Sequence, residues 1–572
     1  MSDTVSVPER GRLFTRQASG LVREVSVTNA LFFNTAAFVG TGVGWYPVFY
    51  TLAFIPVGKA LFTTYGWGAI IVGAFCVLLA LIFASLSSVM PRSGGDYVFT
   101  TRLLPKVGPF LGWLESFTLV MASLAIIAFE VPIVLRNLQI TGRIIGIGTG
   151  IGFFERANGW FASNGTIIGW PGFIGALIVL AGVFWVVIQP TRRFHRIVTA
   201  LAAIALLSAV VMFVFGIIFM SKGSFATNLP KYANGTTVQQ LAKAATTNGV
   251  KGSGVGIFPI SLFAFMGGVV LLNYIGFQYS AYIAGEVTGN VRRGILVAVL
   301  GALVIAVAMN SFYTDFLSYR VGLDVHLGWG VLFWLGDSKL PLGQPNSLPL
   351  IAEISRPGLW VIWAFVSLAG AIFPFLLCPV YINFISRLGL AWSLDRQVPE
   401  WFGDVSERLR APVNSILTAL GIAVVFAILQ NFAFLPKSIA PPDGHLNLVA
   451  TLWFSVLMAF LTWFMPGVNA LVGPFSRKDL MANAPWRSAL PALGAIWIVF
   501  AGVLFWFAGF KPIIDAIGSG TETTLDYLNR TGITFTLIFL GVGVLIYLVQ
   551  AVRRRAKLGA DASLVYQEIP PE

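Results

Sequence analysis

Residues 27–57 read VTNALFFNTAAFVGTGVGWYPVFYTLAFIPV, an apolar stretch long enough to cross a bilayer. Near its middle stand the closely spaced glycines of the run Gly40, Thr41, Gly42, Val43 and Gly44. Each glycine costs up to about 1 kcal/mol relative to alanine inside a helix, so this run favours a break in the helix. Unwound backbone at that depth must face protein or water rather than lipid. The stretch therefore predicts an interrupted membrane helix with a candidate binding site at the break.

The sixth apolar segment carries a second interruption. It places amides, a phenol and a glycine where lipid-facing residues would be apolar, in the run Asn273, Tyr274, Ile275, Gly276, Phe277 and Gln278. Interrupted helices at corresponding places in the first and sixth segments indicate an inverted-repeat transporter. Small residues that let two helices pack closely are the alternative explanation of the glycines.

The whole chain is too apolar for a soluble protein. Its 572 residues are 57% hydrophobic and only 11% charged, against about 25% charged in an ordinary soluble domain. The lipid bilayer is therefore its main partner, and apolar runs of roughly 17 to 25 residues predict about 12 transmembrane helices. These begin near Val27, Gly66, Val107, Ile168, Phe194, Gly256, Gly294, Gly358, Val413, Leu446, Ala489 and Ile533.

The net charge of +13 indicates an orientation in the membrane rather than nucleic-acid binding. The basic residues form short clusters beside the apolar segments, without the basic face of a nucleic-acid-binding protein. One set of alternate loops, which includes both tails, holds about 23 of the 37 Lys and Arg, so the positive-inside rule predicts cytoplasmic termini in the plasma membrane. Sequons in the opposite loops are candidate glycosylation sites: Asn164, Asn234 and Asn529.

Further motifs resemble those of a known family. Residues 91–97 read PRSGGDY and resemble the P-x-S-G-G-x-Y loop after the second helix of the amino acid–polyamine–organocation (APC) permeases. Residues 274–277 resemble that family's aromatic-x-G-F break, and residues 285–293 resemble its G-E-V-x-N-P-x-R exit, with Val291 in place of the proline. The loop after the eighth segment is similar to the family's at Arg387, Ala391, Asp395 and Pro399. The chain is therefore identified as a member of the APC superfamily.

The resemblance implies a leucine-transporter-type fold. This is an all-α polytopic membrane protein with two inverted five-helix repeats, two extra helices, and breaks in helices 1 and 6. The corresponding divisions are a cytoplasmic N-terminal tail 1–26, a first repeat 27–221, an extracellular loop 222–255, a second repeat 256–470, a cytoplasmic loop with the last two helices 471–552, and a cytoplasmic C-terminal tail 553–572. About the last 15 residues of this tail are expected to be poorly ordered.

The implied function is secondary active transport of an amino acid or a related organic amine by alternating access. Backbone N–H groups at the first break would bind the substrate carboxylate, and carbonyls at the sixth-segment break would bind its amine. The sequence has no H-E-x-x-H motif, no Walker loop and no His/Cys cluster, so we expect neither an enzyme nor a cofactor. A non-transporting amino-acid sensor on the same fold is the alternative, and a homo-oligomer stays open.

The coupling ion is open between proton and sodium. Gln278 stands where many relatives carry an acid, and residues 194–220 lack the fifth-helix lysine that proton-coupled relatives often carry. Sodium-coupled members of the fold use a Ser/Thr pair in the eighth helix, so a weak sodium site near Ser367 is the metal candidate.

Three more polar residues within apolar segments are coupling or gating candidates: Asn310, Glu286 and Glu115. Glu286 is expected to pair with Arg292 and Arg293 about two turns further on, and Glu115 with a loop arginine. A satisfied hydrogen bond between helices is the alternative role of Asn310.

Overall fold

A computed structural model shows an all-helical protein across the residues that it describes. These are residues 21–38, 64–162, 167–247, 271, 273–334, 347–440, 443–511, 514, 524–559 and 565–569. Within these ranges the β-structure is limited to isolated bridges, Val25–Val287, Ser93–Ile283 and Val405–Pro412. The all-α prediction is confirmed.

The helices follow one another with short connections. In the first half they are α1 Val27–Phe38, α2 Thr64–Val89, α3 Asp96–Leu103, α4 Gly108–Thr149, α5 Gly152–Glu155, α6 Gly169–Val187, α7 Thr191–Phe219, α8 Lys222–Tyr232 and α9 Val238–Thr247. In the second half they are α10 Val291–Ala308, α11 Thr314–Val321, α12 Leu323–Trp334, α13 Leu348–Ser355, α14 Trp360–Gly370, α15 Ile372–Leu394, α16 Val413–Asn431, α17 Leu448–Met458, α18 Phe460–Ser476, α19 Leu490–Phe505 and α20 Thr524–Leu558.

Among the described residues, nine helical spans are long and apolar enough to cross a membrane. They are Gly66–Val89, Gly108–Thr149, Gly169–Val187, Thr191–Phe219, Val291–Val321, Pro357–Leu394, Val413–Asn431, Ala450–Ser476 and Thr531–Lys557. Each begins within a few residues of a predicted start, because the length of an apolar run is a local property of the sequence. A polytopic membrane protein is thereby confirmed, while the total of about 12 helices and their repeat stay predictions.

Helix α4 lies at the centre of the bundle and α20 at its edge. In α4, 94% of the most apolar 18-residue window is buried, against 17% in the span that ends α20. Helix α4 packs against α3, α14, α15 and α17. Since a lipid-facing helix needs no protein cover, the exposed apolar surface of α20 is where the bilayer contacts the protein.

Two of the long spans contain joints rather than continuous α-helix. A π-helical turn, Met309–Tyr313, joins α10 to α11, and Ala371 separates α14 from α15. Turns of the π type within membrane helices are frequent at functional sites because they leave backbone groups without their usual partners. The candidate residue Asn310 lies in this turn.

The sixth-segment residues 274–290 are not α-helical. Residues 274–278 form turns, and the 3₁₀ helices Tyr279–Tyr282 and Ala284–Glu286 follow. Gly276 has a φ of +104°, in the left-handed region that favours glycine. A Cβ atom at this position would lie 2.6 Å from the Cβ of Ala37 in α1. A glycine is therefore required here both by the backbone conformation and by the close approach of α1.

Several predictions fall outside the part of the chain that is described. The run from Gly40 to Gly44 lies there, as do residues 248–270 before the sixth-segment turn and the sequon at Asn164. The breaks in helices 1 and 6 therefore stay predictions. The backbone at Asn529 is part of α20, while Asn234 is exposed in a turn with a φ of +52°. Glycosylation of these asparagines also stays a prediction.

Candidate functional site

The sixth-segment turns are fixed to the end of α1 by one buried amide. The Asn34 side chain donates from Nδ2 to the Ser280 hydroxyl at 3.0 Å, and its Oδ1 accepts from the Ser280 backbone N–H at 2.6 Å. Asn34 therefore holds non-helical backbone against the helix that leads into the glycine run. The sequence analysis missed this residue, although an amide inside the apolar run LFFNTAAF was a visible signal.

All six predicted site residues of the sixth segment are buried. The Tyr274 hydroxyl donates to the Ala69 carbonyl of α2 at 2.7 Å, and the Phe277 ring stacks on Trp463 of α18 with centroids 6.5 Å apart. The Oε1 atom of Gln278 is buried and accepts no hydrogen bond within the described residues. A buried acceptor left unpaired costs about 1–3 kcal/mol, so Gln278 can accept a hydrogen bond from a ligand.

The candidates in the seventh and eighth segments are engaged with neighbouring helix groups. The Ser367 hydroxyl of α14 lies 2.9 Å from the Thr141 hydroxyl of α4. The Asn310 Nδ2 donates to the Ala306 carbonyl one turn earlier at 2.9 Å. Across the described residues, no group of three or more His, Cys, Asp or Glu side chains is placed to hold a metal ion. The weak sodium site near Ser367 stays a prediction.

The expected partner of Glu286 is wrong. Its carboxylate forms a bidentate ion pair with Arg387 of α15, at 2.8 and 3.0 Å, and both side chains are buried. Arg292 and Arg293 are exposed because the chain turns at Gly289, with a φ of +75°, before α10 begins. The backbone carbonyl of Glu286 also accepts from the N–H of Val25 at 2.9 Å. This residue therefore joins the start of α1, the sixth segment and α15.

Glu115 also has a different partner from the one expected. Its Oε2 accepts from the Thr100 hydroxyl of α3 at 2.6 Å, and Thr100 in turn accepts from Asn469 of α18 at 2.8 Å. The loop arginine nearest in the motif, Arg102, instead forms a fully buried bidentate ion pair with Asp395, at 2.5 and 2.6 Å. The expectation failed because the loop arginine pairs across the fold, 293 residues along the chain.

A second buried acid, Asp96, stands one turn before Thr100 on α3. Its Oδ2 accepts from the Tyr282 hydroxyl of the sixth segment at 2.6 Å, while its Oδ1 is buried without a hydrogen bond. Burial raises the pKa of Asp96 to about 7, against the smaller lowering by the Tyr282 hydrogen bond. Within the described residues, neither Asp96 nor Glu115 is in an ion pair with a basic side chain, unlike Asp395 and Glu286.

Part of the C-terminal tail packs over the Arg102–Asp395 pair, contrary to the expectation of poor order. Arg102 donates from Nε to the Glu568 carbonyl at 3.1 Å. The hydroxyl of the buried Tyr566 accepts from the Gln397 amide at 2.6 Å and from Arg554. Residues 565–568, hereafter the tail latch, thus connect the loop after the second span, the loop after the eighth, and α20. The apolar Val565 and the Tyr566 ring are what a charge-based reading of this tail overlooked.

A family model described as amino acid permease matches residues 31–515, which is most of the chain. The chain belongs to the amino acid permease family. The permease is 23% identical over 543 residues to the methylthioribose transporter of Bacillus subtilis (strain 168), which covers 93% of this chain and 94% of that protein. It is 19% identical over 458 residues to the aspartate-proton symporter of the same organism, which covers 80% of this chain and 75% of that protein. The APC resemblance is confirmed, and the permease is a multi-pass membrane protein whose relatives are transporters of small molecules.

Proposed function

We propose that the permease is a secondary active transporter that moves an amino acid or a related organic amine across the cytoplasmic membrane, with both termini in the cytoplasm. The observation that supports this most is the buried, non-helical backbone from Tyr274 to Glu286, which lies against the end of α1. Backbone groups without helical partners at membrane depth must be satisfied by protein, water or a ligand. Interrupted segments of this kind are where transporters of the inverted-repeat class bind substrate.

The chemistry of the site favours a substrate with an ammonium group. The unpaired Oε1 of Gln278 and the carbonyls of the neighbouring turns are acceptors without charge. The substrate carboxylate would meet the N–H groups from Gly40 to Gly44. One relative is named for aspartate and the other for a thiosugar, so the panel of test compounds must include both kinds.

We infer that a proton is the coupling ion. Of the buried acids on this face, Asp395 and Glu286 are neutralised by arginines, whereas Asp96 and Glu115 accept only neutral hydroxyl groups. The two carboxylates also repel each other through the protein interior. An unpaired buried carboxylate is stabilised by taking up a proton, and one proton relieves the repulsion.

This acid pair is placed where it senses conformation. Asp96 is bonded to Tyr282 of the sixth segment, and Tyr279 contributes a further interaction with Asp96 from the same segment. Glu115 belongs to the central helix α4 and reaches α3 through Thr100. Movement of the sixth segment against α4 would change the surroundings of both acids, which links proton binding to alternating access.

Uptake into proteoliposomes tests the proposal. Purified permease is reconstituted and assayed with labelled amino acids, amines and methylthioribose, under proton, sodium and counter-substrate gradients imposed independently. We expect saturable counterflow of an amino acid or amine, and accumulation driven by a proton gradient. A folded protein that binds substrate without flux would instead support the sensor alternative.

Variants separate coupling from transport. D96N/E115Q should retain counterflow and lose accumulation driven by the proton gradient, because exchange needs no net proton movement. E407Q, at an exposed acid, is the matched control and should keep both activities. Accumulation that follows sodium and ignores the proton gradient would refute proton coupling while leaving the transport function intact.

A further inference from the structure

A positively charged cavity of about 330 Å³ lies between the loop after α15 and the last turns of α20. Its lining includes four basic side chains and one carboxylate: Arg396, Glu400, Trp401, Arg553, Arg554 and Lys557. The Glu400 carboxylate is 61% exposed and lies 3.8 Å from Arg396, so it offsets little of this charge. The cavity is outside the site described above and takes no part in the proposed transport path.

The basic residues of α20 share one face of the helix. Arg553 and Lys557 are four positions apart and exposed, so their like charges repel each other in the absence of an anion. Arg554 is buried, with its guanidinium 5.3 Å from the centre of the Tyr566 ring and 5.6 Å from that of Tyr547. The exposed pair is therefore available to a ligand, while Arg554 forms a fixed wall.

The opposite wall holds a residue in an unfavourable backbone conformation. Arg396 has a φ of +57°, which side chains other than glycine rarely adopt. It directly follows Asp395, whose ion pair with Arg102 fixes the preceding backbone. Strained positions kept in this way cluster at ligand-binding sites.

The cavity lies at the boundary of the bilayer. Arg553 and Lys557 occupy the end of the span Thr531–Lys557. On the lipid side, α20 exposes Leu545, Leu548 and Val552, with between 54% and 69% of each residue accessible. Trp401 is 54% exposed at the cavity and belongs to a residue type enriched at membrane interfaces. A charged pocket thus adjoins an apolar surface on the same helix.

We propose that this cavity binds the headgroup of an anionic phospholipid, with the acyl chains along the exposed apolar face of α20. Basic pockets at the ends of membrane helices recognise anionic headgroups through charge. A free inorganic phosphate would satisfy the basic residues and leave the apolar half of the surface unused. The combination of the two surfaces therefore selects a lipid.

Lipid binding to the full-length protein tests the proposal directly. The purified permease in detergent is titrated with phosphatidylglycerol or phosphatidylcholine, and bound lipids are counted by native mass spectrometry. We expect a preference for phosphatidylglycerol. R553Q/K557Q should lower that affinity by about 30-fold, because each basic side chain near an anionic lipid contributes about a factor of five.

The matched control is R192Q/R196Q, which removes exposed basic residues at the same spacing from α7 and should leave the affinity unchanged. R396G offers a second test, since glycine suits the φ of this position and the folded state is preserved; it should lower the affinity by about fivefold.

Three outcomes overturn the proposal. They are equal affinity of the wild-type protein for the two lipids, unchanged phosphatidylglycerol affinity in both cavity variants, and displacement of phosphatidylglycerol by inorganic phosphate at equal concentration.

Discussion

Replacing Gly276 with alanine is the sharpest test of the contact between α1 and the sixth segment. The added Cβ would lie 2.6 Å from the Cβ of Ala37, and 3.0 and 3.1 Å from its carbonyl carbon and oxygen. Carbon atoms in contact prefer about 3.5–4.0 Å, so α1 would have to move by about 1 Å. The side chain would also force a residue other than glycine to a φ of +104°.

These two costs have known sizes. The left-handed backbone costs about 1–2 kcal/mol and overpacking about 1–3 kcal/mol, which together give about 2–5 kcal/mol. The lower limit corresponds to about a 30-fold loss of the packed arrangement. Gly289 provides a matched control, because it has a φ of +75° and a Cβ there would meet nothing within 4 Å. G289A should therefore show only the backbone cost.

The assay combines thermal unfolding in detergent with counterflow in proteoliposomes at equal protein content. We expect G276A to lower the unfolding midpoint more than G289A and to reduce counterflow by at least tenfold, a loss that about 1.4 kcal/mol already produces. G289A should transport at close to the wild-type rate. If both variants unfold and transport alike, the close packing of α1 on Gly276 is not what holds the site together.

Three further predictions concern the buried charges and the tail latch. R387M leaves the Glu286 carboxylate buried without its cation and should destabilise the protein by about 3–5 kcal/mol in thermal unfolding, while E286Q/R387M should recover most of this; equal losses would contradict a strong pair. Since burial raises the pKa of Asp96 from 3.8 to about 7, the folded state binds more protons than the unfolded state between these values. Stability should therefore fall as pH rises from about 4 to 7, and D96N should flatten this dependence of the unfolding midpoint. Y566A removes a buried ring and should speed limited proteolysis of the C-terminal tail by about tenfold or more, as the loss of a buried aromatic costs about 3–5 kcal/mol, whereas Y566F should have a smaller effect.

The membrane spans and the non-helical sixth segment were accessible from the sequence because both depend on neighbouring residues. Apolar length predicts a span, and the composition around Gly276 disfavours continuous helix. The motif at residues 91–97 also led to Asp96 and Tyr97, which the structure places beside Tyr282 and Asp395. Local chemistry was sufficient for these features.

The partners of the buried charges were not accessible in the same way. Glu286 pairs with Arg387, 101 residues further along the chain, rather than with the arginines nearby. The spacing rule for neighbouring charges holds within one helix, and the turn at Gly289 separates Glu286 from α10. The contact between Asn34 and Ser280, 246 residues apart, likewise depends on how α1 packs against the sixth segment. Pairings of this kind require the tertiary structure.

The tail latch has a consequence for the making of the protein. Residue 568 leaves the ribosome 466 residues after Arg102, which at about 5–20 residues per second is roughly 25 to 95 seconds later. Asp395 emerges 293 residues after Arg102, so the arginine enters the membrane before its anion exists. The nascent chain therefore holds an uncompensated cation at the bilayer edge for much of its synthesis. Translation speed and the translocation machinery must protect this region until the final residues arrive.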